Sequence, residues 1–287
     1  MFDYIDANRK FFEKSLAPFT SFKLGGNAKL LLKLHNSEVE RVISDCKANK
    51  LDFFVIGLGC NVLIADSGID GVVVNLIDDK ILVDNQTLTA DCGANLQKVV
   101  KIACEHGLSG LEWAFGLPST VGGAVYGNAG TRHGCIASVL NSCQVLTKNG
   151  IINYSVHQCQ FEYRGSVFKG TDNIILRCTF HLEKSTVPKV RQKALLLSKD
   201  RNNPKGLCAG SIFKNGKDFI AGQLIDRAGL KGKKIGGALV SLQHGNFIIN
   251  DGTATAKDVF DLIKFIKDRV MSIYGIVLQE EIQLKGF

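Results

Sequence analysis

The stretch from Gly107 to Gly134 contains eight glycines in 28 residues and limits the possible folds more than any other segment. Its centre, residues 116–130, reads GLPSTVGGAVYGNAG and combines small residues with Ser and Thr hydroxyls. We interpret the stretch as a long loop. A long glycine-rich loop inside a domain is usually functional, and this one suits a flat or diphosphate-bearing ligand packed against bare backbone. It lacks a Walker lysine, which argues against nucleotide hydrolysis. The alternative interpretation is a bundle of turns.

The overall composition is that of a folded protein. The 287 residues include 30 glycines, only four prolines and 45% hydrophobic residues, which excludes disordered and collagen-like classes. This length allows one large domain or two to three smaller ones. No apolar run approaches the ~18 residues of a membrane span, and the mixed, charged residues 1–14 do not predict a signal peptide.

Cysteine and histidine usage predicts a reduced cytosolic protein without a metal site. The nine cysteines are an odd number, and no two of them form a C-x-x-C motif. The six histidines form neither H-x-H nor H-E-x-x-H. We therefore expect thiols that fill the core, and neither a disulfide framework nor a zinc site.

The net charge of +8 is concentrated in the last third of the chain. Residues 1–183 carry 17 basic and 18 acidic side chains, a net −1, whereas residues 184–287 carry 18 and 9, a net +9. This asymmetry indicates two regions with different ligands, the second of which meets an anion. A solvated basic surface is one alternative. A nucleic-acid binder is another, although the segment has no RRM, zinc-finger or KH pattern.

Hydrophobic periodicity and turn residues predict an α+β chain with a boundary near residues 187–199, a linker or connecting helix. Asn95 is placed to cap one helix, and Thr255 with Asp258 forms the capping box of the last one. The predicted helices are 38–50, 95–106, 219–228 and the one that starts at Thr255. The first has its apolar face at Val39, Val42, Ile43 and Cys46, and the last should bury Val259, Leu262, Ile263, Ile266 and Val270. The predicted strands are 53–56, 62–65, 72–76, 81–83, 87–89, 138–147, 151–156, 173–182, 237–242, 247–250 and 276–284. Asn149-Gly150 predicts a hairpin between 138–147 and 151–156, and a turn at Asp84-Asn85 joins 81–83 to 87–89.

The segment Gly57-Leu58-Gly59-Cys60-Asn61 follows a predicted strand. Glycines there would let backbone N–H groups approach a phosphate, since no Cβ blocks the way. The segment is not a Rossmann fingerprint, because Val62 stands at the third glycine position and a strand follows. A plain tight turn explains the pattern equally well.

Three further segments offer side chains for chemistry. Arg164, between an aromatic residue and a glycine, could neutralise an oxyanion, although a lone Arg is more often a surface residue. Ser211 lies outside any G-x-S-x-G elbow, so it is either a proton donor or an ordinary turn serine. Glu281 shares the polar face of the last predicted strand with two glutamines, and it is either an acid–base group or part of a solvated edge.

Taken in this order, these segments resemble the UDP-N-acetylenolpyruvoylglucosamine reductase (MurB) family, over roughly residues 18–286. Residues 20–28, 228–232 and 240–250 extend the resemblance, and the length suggests the shorter subclass. It implies a fold of the vanillyl-alcohol-oxidase type with a C-terminal α+β substrate-binding domain. The implied division is 1–78 and 79–186 for two FAD-binding subdomains, and 187–287 for a substrate-binding domain whose final strand returns toward the FAD site.

The resemblance implies a flavin-dependent oxidoreductase with non-covalent FAD as cofactor and NADPH as co-substrate. Its reaction would reduce UDP-N-acetylglucosamine enolpyruvate to UDP-N-acetylmuramate for peptidoglycan synthesis, and so serve cell-wall growth, cell shape and division. NADPH would react first and leave before the second substrate enters, which gives ping-pong kinetics. The expected enzyme is a cytoplasmic monomer that acts on small molecules, with no nucleic-acid or membrane partner.

The resemblance also assigns residues. The catalytic positions are Arg164, Ser211 and Glu281, and the substrate contacts are Lys214 and Asn215. The FAD contacts are Gly57, Gly59, Cys60, Asn61, Pro118, Ser119, Thr120, Gly122, Gly123 and Asn128. The sequence departs from the family pattern at Cys60 (usually Ser), Ser119 (Gly), Gly216 (Pro) and Gly245 (Ala). A flavin oxidase with FAD tethered through Cys60, His106 or His133 is the alternative enzyme.

Overall fold

A computed structural model describes residues 1–201 and 203–287, which form two compact units. Unit 1 comprises Met1–Lys10, Leu32–Leu58 and Val74–Arg201, and unit 2 comprises Phe11–Leu31, Gly59–Val73 and residues 203–287. These units are defined by internal packing. The division at residues 78 and 186 is defined by ligand-binding roles, and it stays a prediction.

The described residues contain both strands and helices. The strands are β1 (Lys10–Ser15), β2 (Asn27–Leu34), β3 (Phe53–Val55), β4 (Val62–Ile64), β5 (Ile69–Leu76), β6 (Ile81–Asp84), β7 (Thr87–Asp91), β8 (Leu108–Ser109), β9 (Gly130–Thr131), β10 (Gly134–Cys135), β11 (Leu140–Thr147), β12 (Gly150–Ser155), β13 (Ile174–His181), β14 (Glu183–Lys184), β15 (Lys234–Ile235), β16 (Ala238–Val240), β17 (Ile248–Asn250) and β18 (Gln283–Lys285). The helices are α1 (Asn36–Ala48), α2 (Leu96–Glu105), α3 (Val121–Tyr126), α4 (Val187–Lys199), α5 (Ala221–Arg227) and α6 (Ala256–Tyr274). One sheet has the order β1-β2-β5-β3. No helix of residues 1–201 or 203–287 is long and apolar enough to cross a membrane.

Unit 1 contains a five-stranded sheet in the order β12-β11-β13-β7-β6, with every neighbouring pair antiparallel. Both predicted hairpins are present. The pairing Thr147↔Gly150 closes the β11–β12 turn, and Asp84↔Thr87 closes the β6–β7 turn. Gly150 (φ +88°) and Asn85 (φ +53°) take the positive φ values that such turns require.

Helix α2 begins as the sequence predicts. The side chain of Asn95 accepts a hydrogen bond from the Gln97 N–H, and the positive φ of Gly107 (+64°) follows the last turn. The predicted helix at 38–50 starts two residues earlier, and its predicted apolar face is buried. The segment 187–199, predicted as a linker or a helix, is the helix α4.

Part of the glycine-rich stretch is helical, which corrects its interpretation as a continuous loop. Residues 121–126 form α3, although two of the six are glycine, a poor helix former. The Thr120 hydroxyl caps α3 by accepting a hydrogen bond from the Gly123 N–H. A Cβ at position 122 would lie 2.9 Å from the Cys92 Cβ, so close packing requires the glycine there. Tertiary contacts thus override helix propensity.

Unit 2 packs around α6, which buries Val259, Leu262, Ile263, Ile266 and Val270, as predicted. The predicted capping box of Thr255 and Asp258 is present. The carboxylate of Asp66 accepts two more hydrogen bonds at this end, from the Ala256 and Lys257 N–H groups, both at 2.9 Å. Four donors that the first turn leaves free are thereby satisfied. Strands β15-β16-β17 form a sheet, and β18 runs parallel to β4.

The last predicted strand, 276–284, is wrong over most of its length. Only Gln283–Lys285 is a strand, and the preceding residues make one isolated bridge, Phe213↔Glu280. Leu278 and Ile282 are buried while Val277 is 67% exposed, so the side chains alternate as the sequence suggests. The segment pairs with the irregular residues 212–214, which cannot supply the consecutive pairs of a ladder.

Candidate active site

In unit 1, a single side chain of α2 holds the segment that precedes α3. The Gln97 amide donates hydrogen bonds to the carbonyls of Ala114 (3.0 Å) and Leu117 (2.6 Å), and its oxygen accepts one from the Gly116 N–H. The Leu96 N–H donates to the Ser119 carbonyl at 2.9 Å. The first turn of α2 therefore fixes the segment 114–119, which contains two predicted FAD contacts.

Two further predicted FAD contacts of unit 1, Gly57 and Gly123, lie close to Thr120. A Cβ at Gly57 would stand 2.6 Å from the Thr120 hydroxyl oxygen, so position 57 must be glycine for packing reasons. A Cβ at Gly123 would stand 3.2 Å from the hydroxyls of both Ser119 and Thr120. The structure thus brings together Gly57, Ser119, Thr120 and Gly123. Pro118 and Gly123 are exposed, so this surface offers the pyrrolidine ring of the proline and the bare backbone of the glycine.

Arg164 occupies a conformation that non-glycine residues rarely adopt. Its φ is +56°, in the third position of a turn closed by reciprocal backbone hydrogen bonds between Glu162 and Gly165 (3.2 and 3.1 Å). The Lys169 ammonium donates to the Arg164 carbonyl at 2.6 Å, and the Asn128 amide donates to the Glu162 carbonyl at 2.9 Å. Strain of this kind persists where the surroundings impose it, and it concentrates at functional sites. The predicted FAD contact Asn128 thus supports the turn that carries Arg164.

In unit 2, the segment Gly59-Cys60-Asn61 leads into β4. A Cβ at Gly59 (φ +60°) would stand 2.1 Å from the Phe19 carbonyl oxygen, so glycine is required by the fold itself. Burial raises the pKa of the Cys60 thiol, which keeps it protonated and weakly nucleophilic. The side-chain amide of Asn61 donates to the Glu281 backbone carbonyl at 3.1 Å. The Asn61 backbone carbonyl accepts a hydrogen bond from the Gln283 N–H at 3.0 Å.

The structure brings the Ser211 and Glu281 segments together within unit 2. The Glu281 N–H donates to the Ile212 carbonyl at 2.7 Å, and the Lys214 N–H donates to the Gln279 carbonyl at 2.8 Å. Ser211, Lys214 and Glu281 are half-buried, so their side chains are partly accessible. The Glu281 backbone is therefore held on both sides, by Ile212 through its N–H and by Asn61 through its carbonyl.

Asn215, a predicted substrate contact, and Gly216, a departure from the family pattern, both form hydrogen bonds within unit 2. The Asn215 side-chain oxygen accepts a hydrogen bond from the Ala221 N–H at 3.0 Å, at the start of α5. Gly216 donates its N–H to the Phe219 carbonyl at 3.1 Å, which the proline usual in the family could not do. At the other departure, a Cβ at Gly245 would lie 2.6 Å from the Gly222 carbonyl oxygen, so glycine fits where alanine is usual.

The residues assigned from sequence fall into two sets, one in each unit. Unit 1 carries Gly57, Pro118, Ser119, Thr120, Gly122, Gly123, Asn128 and Arg164, and unit 2 carries Gly59, Cys60, Asn61, Ser211, Lys214, Asn215 and Glu281. Sequence reasoning missed two residues that hold these segments, Gln97 and Asn246. Only their hydrogen bonds reveal them, because their partners lie 17 to 34 residues away along the chain.

These surfaces fit a flavin dinucleotide. The segments 57–61 and 116–128 contain no acidic side chain that would repel a diphosphate. In the second segment, the exposed Gly123 leaves bare backbone beside the Ser119 hydroxyl, and Pro118 is exposed as well. Such a surface suits a flat ring.

Comparison with known proteins agrees with this fit. Residues 33–154 match the FAD binding domain family, and residues 203–285 match the family described as UDP-N-acetylenolpyruvoylglucosamine reductase, C-terminal domain. A UDP-N-acetylenolpyruvoylglucosamine reductase 1 of Bacillus cereus is 36% identical over 294 residues, covering 99% of this chain and 98% of the relative. A UDP-N-acetylenolpyruvoylglucosamine reductase of Clostridium beijerinckii is 40% identical, covering 92% and 89%.

A solved structure extends the agreement to the fold. The crystal structure of UDP-N-acetylenolpyruvylglucosamine reductase from Thermus caldophilus aligns with a TM-score of 0.83 and 32% sequence identity, covering 96% of this chain and 98% of that one. The expected α+β class is confirmed, with an FAD-binding domain followed by the C-terminal domain of the reductase family.

The fold and the matched domains define the class first: this is a flavoprotein oxidoreductase that uses FAD. Within that class, the chain belongs to the UDP-N-acetylenolpyruvoylglucosamine reductase family. The resemblance inferred from the sequence motifs is therefore confirmed over nearly the whole chain.

Proposed function

We propose that this protein reduces UDP-N-acetylglucosamine enolpyruvate to UDP-N-acetylmuramate with NADPH as co-substrate, a step of peptidoglycan synthesis. Among the structural observations, the backbone link between the Ser211 and Glu281 segments, 2.7 Å from the Glu281 N–H to the Ile212 carbonyl, carries the proposal. It places a hydroxyl-bearing and a carboxyl-bearing residue of a flavoprotein on adjoining segments of unit 2.

The reaction saturates an enol ether next to a carboxylate. The chemistry that bound FAD would supply is hydride transfer, from NADPH to the C3 carbon of the enolpyruvyl group. Negative charge then develops at C2 and spreads onto the substrate carboxylate. A cation and a hydrogen-bond donor beside that carboxylate would stabilise the charge as it forms. We assign the first role to Arg164, whose planar guanidinium matches a carboxylate.

Ser211 and Glu281 take the remaining roles. We assign to the Ser211 hydroxyl the transfer of its proton to C2, with solvent returning a proton to the serine afterwards. A serine is a weak acid, but a carbanion is a strong base, so geometry decides the rate. Glu281 donates a hydrogen bond to the developing charge if it carries a proton. Its backbone fixation by Ile212 and Asn61 supports a fixed position for the side chain.

Lys214 and Asn215 are proposed to bind the substrate. Lys214 is half-buried and offers an ammonium for the substrate's anionic groups. The Asn215 side-chain oxygen already accepts a hydrogen bond from Ala221, so its NH₂ group is the part left to donate to the substrate.

FAD is proposed to be held without a covalent bond, by the residues at 57–61 and 118–128. Burial raises the pKa of the Cys60 thiol, and this supports a non-covalent flavin over a tethered one. Of the other tethering candidates, the His133 ring lies 2.9 Å from Asp200 and has a structural partner of its own. The His106 ring lies at the exposed end of α2.

We also propose a cytoplasmic monomer that does not bind nucleic acid. Within the described residues none of the nine cysteines forms a disulfide, which suits a reducing compartment. Several lysines of residues 203–287 pair with acidic side chains, and these pairs reduce the positive potential of the last third. The pairs are Lys231–Asp226, Lys234–Asp251, Lys257–Asp261 and Lys267–Glu280.

The visible spectrum of the purified protein tests the proposal. Flavin absorption bands should be bleached by NADPH under anaerobic conditions and restored by the enolpyruvyl substrate, and acid precipitation should release the flavin into solution. Bands that NADPH bleaches but the substrate does not restore would reject the proposed substrate. Flavin that stays with the acid precipitate would support the tethered-flavin oxidase, and a colourless protein that binds RNA with a steep salt dependence would support the nucleic-acid alternative.

A further inference from the structure

The buried side chain of Asn246 bonds to the backbone that follows Ser211. Its oxygen accepts a hydrogen bond from the Phe213 N–H at 2.9 Å, and its NH₂ group donates to the Phe213 carbonyl at 2.8 Å. The Asn246 backbone carbonyl accepts a third bond, from the Ile212 N–H at 2.9 Å. One residue, only 4% exposed, therefore satisfies three backbone groups in the two residues after Ser211.

This segment depends on such bonds. Residues 211–214 lie in neither a helix nor a strand ladder, and Ile212 and Phe213 are each 1% exposed. A buried backbone N–H or carbonyl without a partner costs roughly 1–3 kcal/mol, so each group needs one. An asparagine amide offers one acceptor and one donor, which matches the N–H and carbonyl of a single peptide residue. A carboxylate offers acceptors only, and an aliphatic side chain offers neither.

Asn246 is itself held in place by hydrogen bonds within the turn that precedes it. Its own N–H donates to the His244 Nδ1 at 3.1 Å. Burial lowers the pKa of His244, so the ring stays neutral and keeps Nδ1 available as an acceptor near pH 7. The Ser241 hydroxyl accepts hydrogen bonds from the Gln243 and His244 N–H groups and holds this turn.

We infer that Asn246 is a positioning residue for the reaction: it fixes the backbone of Ser211 against the Glu281 segment so that the serine hydroxyl reaches the carbon it protonates. The inference rests on the proposed function, in which Ser211 supplies that proton. Asn246 acts through the segment 211–213 and does not touch the substrate. A misplacement of about 1 Å can cost roughly 10²-fold in rate, so loss of this clamp should slow proton delivery.

The test uses Asn246→Asp in the FAD-loaded enzyme and follows both half-reactions by anaerobic stopped-flow absorbance. Flavin reduction by NADPH should stay near the wild-type rate, whereas reoxidation by the enolpyruvyl substrate should slow by roughly 10²-fold. The solvent deuterium isotope effect on reoxidation should rise, because proton transfer becomes more rate-limiting. A merely structural role for Asn246 would not change one half-reaction selectively.

Asn250 provides the matched control. It is another buried asparagine, 5% exposed, whose amide donates to the Phe22 carbonyl at 2.9 Å and accepts from the Gly252 and Ala254 N–H groups. Asn250→Asp removes the same NH₂ group from the same unit but leaves residues 211–213 untouched. Its reoxidation rate should match that of the wild type once FAD is bound.

A double substitution separates this inference from the proposed function. Adding Asn246→Asp to Ser211→Ala should cause little further loss, because positioning the serine has no effect once its hydroxyl is gone. If Asn246→Asp folds poorly, Asn246→Ser, which removes the same NH₂ group, takes its place in this cycle. Multiplying losses would overturn the positioning role, and so would a normal reoxidation rate in the Asn246 variant. A normal rate in Ser211→Ala alone would instead overturn the proposed role of Ser211.

Discussion

The segment 114–119 of unit 1 and the segment 211–214 of unit 2 are both irregular, but they are held in place differently. Gln97 holds the first from 17 to 20 residues earlier in the chain, at the start of a helix that the sequence itself predicts. Asn246 holds the second from 33 residues later, and the Glu281 segment lies about twice as far along the chain. The first anchor closes a shorter loop than the second, so it costs less chain entropy and can form with less of the fold in place.

This difference predicts different consequences when each anchor is weakened. Loosening the segment 114–119 should affect how well FAD binds, because the predicted FAD contacts follow it directly. Loosening 211–214 should instead affect proton delivery and leave FAD binding intact. The following predictions test this separation, from the largest effect to the smallest.

Ser211→Ala should produce the largest effect. Removing the hydroxyl leaves the backbone bonds of Ile212 and Phe213 in place, so the fold should be preserved. Reoxidation by the substrate should slow roughly 10²- to 10⁴-fold, the usual contribution of a proton donor, while NADPH reduces the flavin normally. The half-buried Ser198 on α4, which donates to the Leu195 carbonyl, serves as control through Ser198→Ala. Two normal half-reactions in Ser211→Ala would remove this serine from the mechanism.

Asn61→Ala should slow reoxidation by roughly 10- to 100-fold, because the Glu281 carbonyl loses its hydrogen bond and the carboxyl group its fixed position. FAD content should be measured alongside, since Asn61 is also a predicted FAD contact. The control is Asn75→Ala, which removes a similar bond to the Ile56 carbonyl of unit 1. If reoxidation is normal at saturating FAD, the contact with Glu281 has no catalytic role.

Gln97→Leu should weaken FAD binding by roughly tenfold, about 1.4 kcal/mol, because three backbone groups of 114–117 lose their partner. A fluorescence titration of the apoprotein with FAD measures this change. The matched variant is Gln86→Leu, which removes a single bond to the Leu182 carbonyl. Equal FAD affinities in the two variants would show that the segment keeps its shape without Gln97, and the comparison between the two anchors would fail.

Glu112→Gln should produce the smallest effect, a loss of about 1 kcal/mol in the free energy of unfolding at pH 7. Burial opposes ionisation of Glu112, but hydrogen bonds from Ser109 and the Gly110 N–H, with Lys193 nearby, outweigh it and lower its pKa below the usual 4.5. A lowered folded-state pKa stabilises the protein above pH 4.5, and this stabilisation disappears as the pH falls through the folded-state value.

Urea unfolding followed by fluorescence measures this effect, since Trp113, the single tryptophan, is buried next to Glu112. The difference between Glu112→Gln and the wild type should shrink as the pH is lowered below 4.5. Glu105→Gln, which alters an exposed ion pair with Lys101, should change stability by less than about 0.5 kcal/mol. A difference that is independent of pH would show that Glu112 does not act through its charge.

The sequence predicted the elements whose signals are local. Asn95, Thr255 and Asp258 marked helix starts correctly because a cap bonds to residues two or three positions away. The prediction from sequence was wrong at α3, where packing against Cys92 outweighs the cost of two glycines. It was also wrong at 276–282, where the segment that pairs with these residues is irregular.

For the site, the order of the motifs was enough to identify the family and to assign Ser211, Glu281 and Arg164. It did not reveal the positive φ of Arg164, or the double role of Asn61 as a predicted FAD contact and a partner of Glu281.

The sequence by itself determined the class of the protein, because capping residues, hairpin turns and glycine-rich segments act over a few residues and survive as readable patterns. Only the tertiary structure decided which backbone groups the Gln97, Asn61 and Asn246 amides satisfy. Each amide can bond to any exposed N–H or carbonyl, so its partner is fixed only when folding buries both groups away from water.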